Sequence, residues 1–143
     1  MKTHKILVVE DEPALLKSIQ IRLSAEGYEV EVAQDGYQAL AMAGKQRPDL
    51  LILDVHIPAG DGFSVEARVR KMPGMLHVPI IYVTGDASQT LIDKAATQGV
   101  SWLLRKPFRT AELLEIVRQT LDRVDHQEDP LVQTALPASQ MGR

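Results

Sequence analysis

Carboxylates stand where apolar runs end in this sequence. The stretch Leu50–Gly62 reads LLILDVHIPAGDG, four apolar residues running straight into Asp54. A charge at the edge of an apolar layer is costly unless it is paired or bound to a metal. The run Ile6–Val9 ends in Glu10, Asp11 and Glu12, and the run Ile80–Val83 ends in Thr84, Gly85 and Asp86. The run Trp102–Leu104 ends in Arg105, Lys106 and Pro107. If the strands ending at Val9 and Leu53 are neighbours, Glu10, Asp11 and Asp54 meet at one edge, flanked by Thr84 and Lys106. Clustered carboxylates raise the cost of each other's ionisation, and a divalent ion relieves it. An all-oxygen donor set is hard, which suits Mg²⁺. Lys106 adds a positive point charge and the Thr84 hydroxyl a hydrogen-bond donor. Such a set can stabilise a phosphoryl group in transfer, with a carboxylate as the nucleophile that becomes an aspartyl-phosphate. Taken singly, an acidic trio is often a helix N-terminus, a Thr-Gly pair a turn, and a Lys-Pro pair a loop. Their joint placement at strand ends is what carries the reading.

The elements that must hold these residues can be read from periodicity. Ile6–Val9, Leu50–Leu53 and Ile80–Val83 are apolar without alternation, as central parallel strands covered on both faces are. YEVEVA, around Val30–Ala33, alternates and reads as an edge strand. Between the strands, amphipathic spacing predicts helices over Pro13–Glu26, Tyr37–Gln46, Phe63–Lys71, Ala87–Gln98 and Thr110–Val124, with Gly27 and Gly99 as stops. Pro48 disfavours helix in the residue before it. Strand and helix alternate five times, the pattern of an α/β domain with a parallel sheet. In such a sheet ligands sit beyond the carboxyl ends of the strands, where strand order reverses.

The 143 residues suffice for one domain with an ordinary core. With no cysteine, disulfides and thiolate chemistry are excluded. A net charge of −3 gives no support to a nucleic-acid surface. The apolar run after MKTHK is too short for a secretory signal, and nothing approaches the roughly 18 apolar residues of a membrane span. A cytoplasmic protein with no membrane partner is expected. Residues 125–143, DHQEDPLVQTALPASQMGR, lose periodicity and are expected to form a tail or linker stub after a domain of residues 1–124.

Taken together, VVEDE (Val8–Glu12), LILDVHIPAGDG (Leu51–Gly62), VTG (Val83–Gly85) and RKPF (Arg105–Phe108) resemble the receiver domain of two-component response regulators, a family that includes the single-domain chemotaxis regulator. The resemblance spans residues 5–124. It implies a doubly wound, flavodoxin-like fold: five parallel strands in order 2-1-3-4-5 with five helices. By that resemblance Asp54 is the phospho-acceptor, Asp11 a direct Mg²⁺ ligand and Glu10 its acidic partner. The backbone carbonyl of His56 would be a further ligand. Thr84 would contact a phosphoryl oxygen and shift on activation, Lys106 would pair with another oxygen, and Lys106–Pro107 would be a cis peptide. The donor would be a sensor histidine kinase or a histidine phosphotransfer protein. An output protein would dock on the face formed by the fourth helix, fifth strand and fifth helix.

The sequence also departs from the family. Three residues before the lysine, where an aromatic switch residue is usual, stands Leu103, expected to pack under the fourth helix. Val100, Ser101 and Trp102 replace the acidic residues common in receivers that dimerise through that face. His56 and Asp86 flank the phosphoryl site, where such side chains tune the lifetime of the phosphorylated state. His4, His77 and His126 are expected to be solvated. Two other readings compete: a receiver-like module that binds partners without phosphorylation, and a Mg²⁺-dependent phosphatase. The phosphatase normally needs an Asp two residues after its nucleophile, where His56 stands.

Overall fold

The computed structural model describes residues 2–85, 88–97 and 102–125. Asp86, Ala87, Gln98, Gly99, Val100, Ser101, His126 and the rest of the expected tail lie outside the described residues, and with them what was expected of those positions.

Strands β1 (Lys5–Val9), β2 (Glu29–Ala33), β3 (Leu50–Asp54), β4 (Ile80–Thr84) and β5 (Trp102–Arg105) alternate with helices α1 (Pro13–Ala25), α2 (Gly36–Gln46), α3 (Gly62–Arg70), α4 (Gln89–Thr97) and α5 (Thr110–Asp125). All strand pairs are parallel, in the order β2-β1-β3-β4-β5. The order reverses between β1 and β3, so the switch point expected to bear a ligand falls between them.

The central residues of the three inner strands are apolar because both of their faces are covered. Leu7, Val9, Leu51, Leu53, Ile80, Tyr82 and Leu103 face a cluster shared with α2, α3 and α4. Ile6, Val8, Leu50, Ile52, Ile81, Val83 and Leu104 face the cluster built with α1 and α5. The period-two alternation of strand side chains divides one continuous apolar run between two cores. On β2, at the sheet edge, only Ala33 is fully buried, in keeping with its alternating sequence.

Local signals set the helix ends. Pro13 opens α1 at its first turn, where a missing N–H costs nothing. Asp35 and Asp61 cap α2 and α3, accepting hydrogen bonds from Gln38 N and Ser64 N at 2.8 Å each. The Ser88 hydroxyl accepts from Leu91 N at 3.3 Å at the start of α4. Three strands extend beyond the apolar run by one residue, so Asp54, Thr84 and Arg105 are themselves the last strand residues. Helix α5 continues through Asp125, one residue past the expected boundary, because Asp125 is paired: His4 Nε2 lies 3.2 Å from its Oδ1. That contact also corrects the expectation for His4, which is half-buried rather than solvated.

Candidate functional site

Register alone brings the chemistry-bearing residues together. Val9 pairs with Leu53, so Glu10 and Asp54, the next residue on each chain, emerge side by side. Asp54 pairs with Val83, so Thr84 stands one step beyond it. Thr84 pairs with Arg105, and the following residue, Lys106, donates its backbone N–H to the Thr84 carbonyl at 2.8 Å. The Lys106–Pro107 peptide is cis.

Asp54 is only 5% exposed, yet both its oxygens have partners. Oδ1 accepts from the His56 backbone N–H at 3.0 Å, and Oδ2 accepts from Lys106 Nζ at 2.8 Å. The same ammonium lies 2.7 Å from Glu10 Oε1. Glu10 Oε2 accepts from Glu12 N at 3.0 Å, and Glu10 N donates to the Ala33 carbonyl at 3.0 Å. Burial pushes the Glu10 carboxyl above its ordinary range and the Asp54 charge adds to this, against the pull of Lys106 and the Glu12 amide. For Lys106, burial opposes the charge, but its hydrogen bonds to Asp54 and Glu10 prevail and hold it above the usual lysine value.

Carboxylate oxygens of Glu10, Asp11 and Asp54 lie within 4.8 Å of one another. Asp11 is exposed, while the other two are buried. The Lys106 ammonium at 2.7 Å is the one partner of Glu10 Oε1 among the described residues. One ammonium therefore meets two of the three clustered carboxylates, and the cluster keeps an excess of negative charge. A hard divalent cation fits this set: oxygen ligands only, an excess of negative charge and one solvent-facing member.

Other expected positions are also located. The His56 side chain is exposed, and its backbone N–H is committed to Asp54. Leu103 is fully buried in the cluster that holds Leu91, Ile92 and Ala95 of α4. A fully buried aromatic on this face is Tyr82, the register partner of Leu103 on β4. Its hydroxyl lies 2.8 Å from Glu66 Oε1 and 3.1 Å from the Gly62 carbonyl. Glu66, 1% exposed, is neutralised by Arg70 Nε at 2.8 Å, and Arg70 also donates to the carbonyls of Leu76 and Val78. Sequence reasoning missed this network. Its signal was a Tyr inside the run IIYVT and a Glu three residues after Phe63 on the buried side of α3.

The open parallel sheet, with an acidic cluster, a threonine and a lysine beyond the carboxyl ends of its strands, has the layout of the fold that the sequence resemblance implies. Comparison with known proteins agrees: the response regulator receiver domain profile matches residues 6–118. The chain belongs to the response regulator receiver domain family of two-component systems. It is 37% identical over 128 residues to the transcriptional regulatory protein TrcR of Mycobacterium tuberculosis, covering 88% of this chain and 48% of that protein. It is 37% identical over 143 residues to response regulator PleD of Caulobacter vibrioides, covering 96% of this chain and 30% of that one. The chain thus spans about half or less of the length of these relatives. Among solved structures, it resembles a CheY-like receiver domain protein of Methanospirillum hungatei, with a TM-score of 0.82, 28% identity, and coverage of 88% of this chain and 99% of that one. The chemotaxis protein CheY4 of Vibrio cholerae matches with a TM-score of 0.75 and 34% identity over 86% of this chain and 99% of that one. Receivers are signalling switches rather than turnover enzymes. Among the described residues no helix is long and apolar enough to cross a membrane.

Proposed function

We propose that this domain is a phosphorylation-controlled switch whose Asp54 accepts a phosphoryl group from a phosphohistidine on a sensor kinase or phosphotransfer protein. The observation that carries the reading is the Asp54 carboxylate itself, a strand-end nucleophile held by Lys106 and the His56 amide within reach of Glu10 and Asp11. An Asp54 oxygen forms the new P–O bond as the P–N bond to the donor imidazole breaks, and the electron pair leaves with the imidazole. Glu10, Asp11 and Asp54, with the His56 carbonyl, would hold Mg²⁺. When bound, the ion supplies positive charge against the charge building on the phosphoryl oxygens. Lys106 stabilises one of those oxygens and the Thr84 hydroxyl donates to another. The exposed His56, and by the family resemblance Asp86, tune attack by water on the acyl phosphate.

The phosphoryl charge draws Thr84 toward it and biases the face formed by α4, β5 and α5 between two states, one of which binds an output protein. In this reading Leu103 packs under α4 in both states instead of reporting the change as an aromatic ring would. Residues 1–124 act as the unit that is phosphorylated, with the following segment a linker or tail in a cytoplasmic protein. A role without direct nucleic-acid contact rests on the net charge of −3.

The test is incubation with acetyl phosphate, with and without Mg²⁺, read by intact mass on the native chain and Asp54→Asn. A Mg²⁺-dependent adduct in the native chain alone is expected. If neither acetyl phosphate nor a phosphohistidine donor gives an adduct, the domain is a phosphorylation-independent binding module.

A further inference from the structure

The opposite end of the sheet carries a feature that phosphoryl chemistry does not use. At the amino ends of β3 and β4, an open groove of about 340 Å³ is lined by Pro48, Asp49, Met75, Leu76, Val78 and Val124, among others. Its size is that of sites which enclose a few apolar side chains. Four large hydrophobic side chains are strongly exposed among the described residues, and two of them, Leu76 at 60% and Val124 at 41%, belong to this groove. Clustered exposure of this kind marks a surface that is covered in use, whereas scattered exposure needs no explanation.

The sequence supplies an occupant at the groove's own lip. Val124 is the penultimate residue of α5, and the chain continues from Asp125 for 18 more residues, 126–143. The point of departure is fixed from two sides. His4, in the segment entering β1, is bonded to Asp125 at 3.2 Å, and its carbonyl accepts from Glu29 N at 3.0 Å. After a polar HQED spacer comes PLVQTAL, residues 130–136, in which Leu131, Val132 and Leu136 are large and apolar. Leu131 lies six positions beyond Asp125, a reach of up to roughly 20 Å when extended. A segment tethered this closely acts at an effective concentration on the order of millimolar, so weak intrinsic affinity suffices to fill the groove.

We propose that residues 130–136 of this chain dock in the groove between the β3 and β4 amino ends and the end of α5, with Leu131 and Val132 against Leu76 and Val124. The consequence is directional: whatever follows the domain leaves from the end of the sheet opposite Asp54, anchored to the end of α5.

The experiment compares amide NMR spectra of the full chain with those of the double variant Leu131→Asp, Val132→Asp. Neither substituted position belongs to β1–β5 or α1–α5, and unmoved amides around Asp54 report that the fold is kept. Docking predicts shift changes at Leu76, His77 and Val78, remote in sequence from the altered residues, with the amides around Asp54 unmoved. Reciprocally, Leu76→Asp moves the signals of residues 130–136. Changes confined to the neighbours of 131 and 132 overturn the proposal. So does groove perturbation that fades on dilution of the native chain, since it assigns the groove to a second copy.

Discussion

The ammonium of Lys106 lies 2.8 Å from Oδ2 of Asp54, across the gap between the ends of β5 and β3. In this state the lysine stands where positive charge is most needed, since the same group also meets Glu10. Lys106→Ala leaves those buried oxygens without that partner. Unfolding by urea in EDTA should then show a loss of about 1–3 kcal/mol. Mg²⁺ affinity should rise in the same variant, because a cation competing for two of the ligands is gone. Unchanged stability would mean that water already compensates Glu10 and Asp54.

Mg²⁺ itself should stabilise the native fold by mass action. At a hundredfold excess over the dissociation constant the gain is about 2.7 kcal/mol, read as a rise in Tm. Asp11→Asn should remove most of that rise while leaving the Tm in EDTA nearly unchanged, because Asp11 is exposed. An equal rise in native and Asp11→Asn proteins would take Asp11 out of the ligand set.

Gly62 holds α3 tightly against β3. A Cβ there would lie 2.8 Å from the Asp54 carbonyl oxygen and 2.9 Å from Val55 Cα, both of them backbone atoms that cannot swing aside. Gly62→Ala should therefore cost about 1–3 kcal/mol. It should also slow acetyl-phosphate labelling of Asp54 more than an equally destabilising change on the exposed side of α1 does. Labelling at the native rate would separate the α3 contact from the geometry of the acceptor.

Tyr82→Phe removes a donor from Glu66, which is buried and charged. A destabilisation of about 1–3 kcal/mol is expected in chemical denaturation. The double change Tyr82→Phe, Glu66→Gln should cost less than the sum of the two single changes, because each removes the other's partner.

The site was legible in the sequence because each of its residues follows an apolar run, and parallel register aligns the ends of such runs without any long-range information. The same logic made the bodies of β1, β3 and β4 readable, since a strand buried on both faces is one continuous apolar run. What was not legible depends on which side chains meet across elements. Tyr82, Glu66 and Arg70 belong to β4 and α3, and only the packing of α3 on that sheet face makes them one network. His4 and Asp125 lie 121 positions apart, and no local pattern joins them. The strand ends were each read one residue short for a related reason: Asp54, Thr84 and Arg105 are polar or charged, yet the ladder continues through them.

Asp49 gives the fold a defined acid dependence. Burial alone would raise its carboxyl, but hydrogen bonds from the Lys5 amide at 2.8 Å and from Lys2 at 3.0 Å outweigh it and hold the group below the ordinary aspartate value. The unfolded chain thus binds this proton more readily than the native fold does. The stabilisation from Asp49 is fully present above the unfolded value near pH 4 and is lost as pH falls through the lower native value. Glu10, whose carboxyl is raised on folding, contributes in the opposite sense, so total stability against pH does not isolate Asp49. The difference between native and Asp49→Asn proteins does, because Glu10 is common to both. That difference should be about 1 kcal/mol in urea unfolding at pH 6. It should shrink steadily as the pH is lowered below 4, whereas a gap independent of pH would assign the contribution of Asp49 to shape and hydrogen bonding without charge.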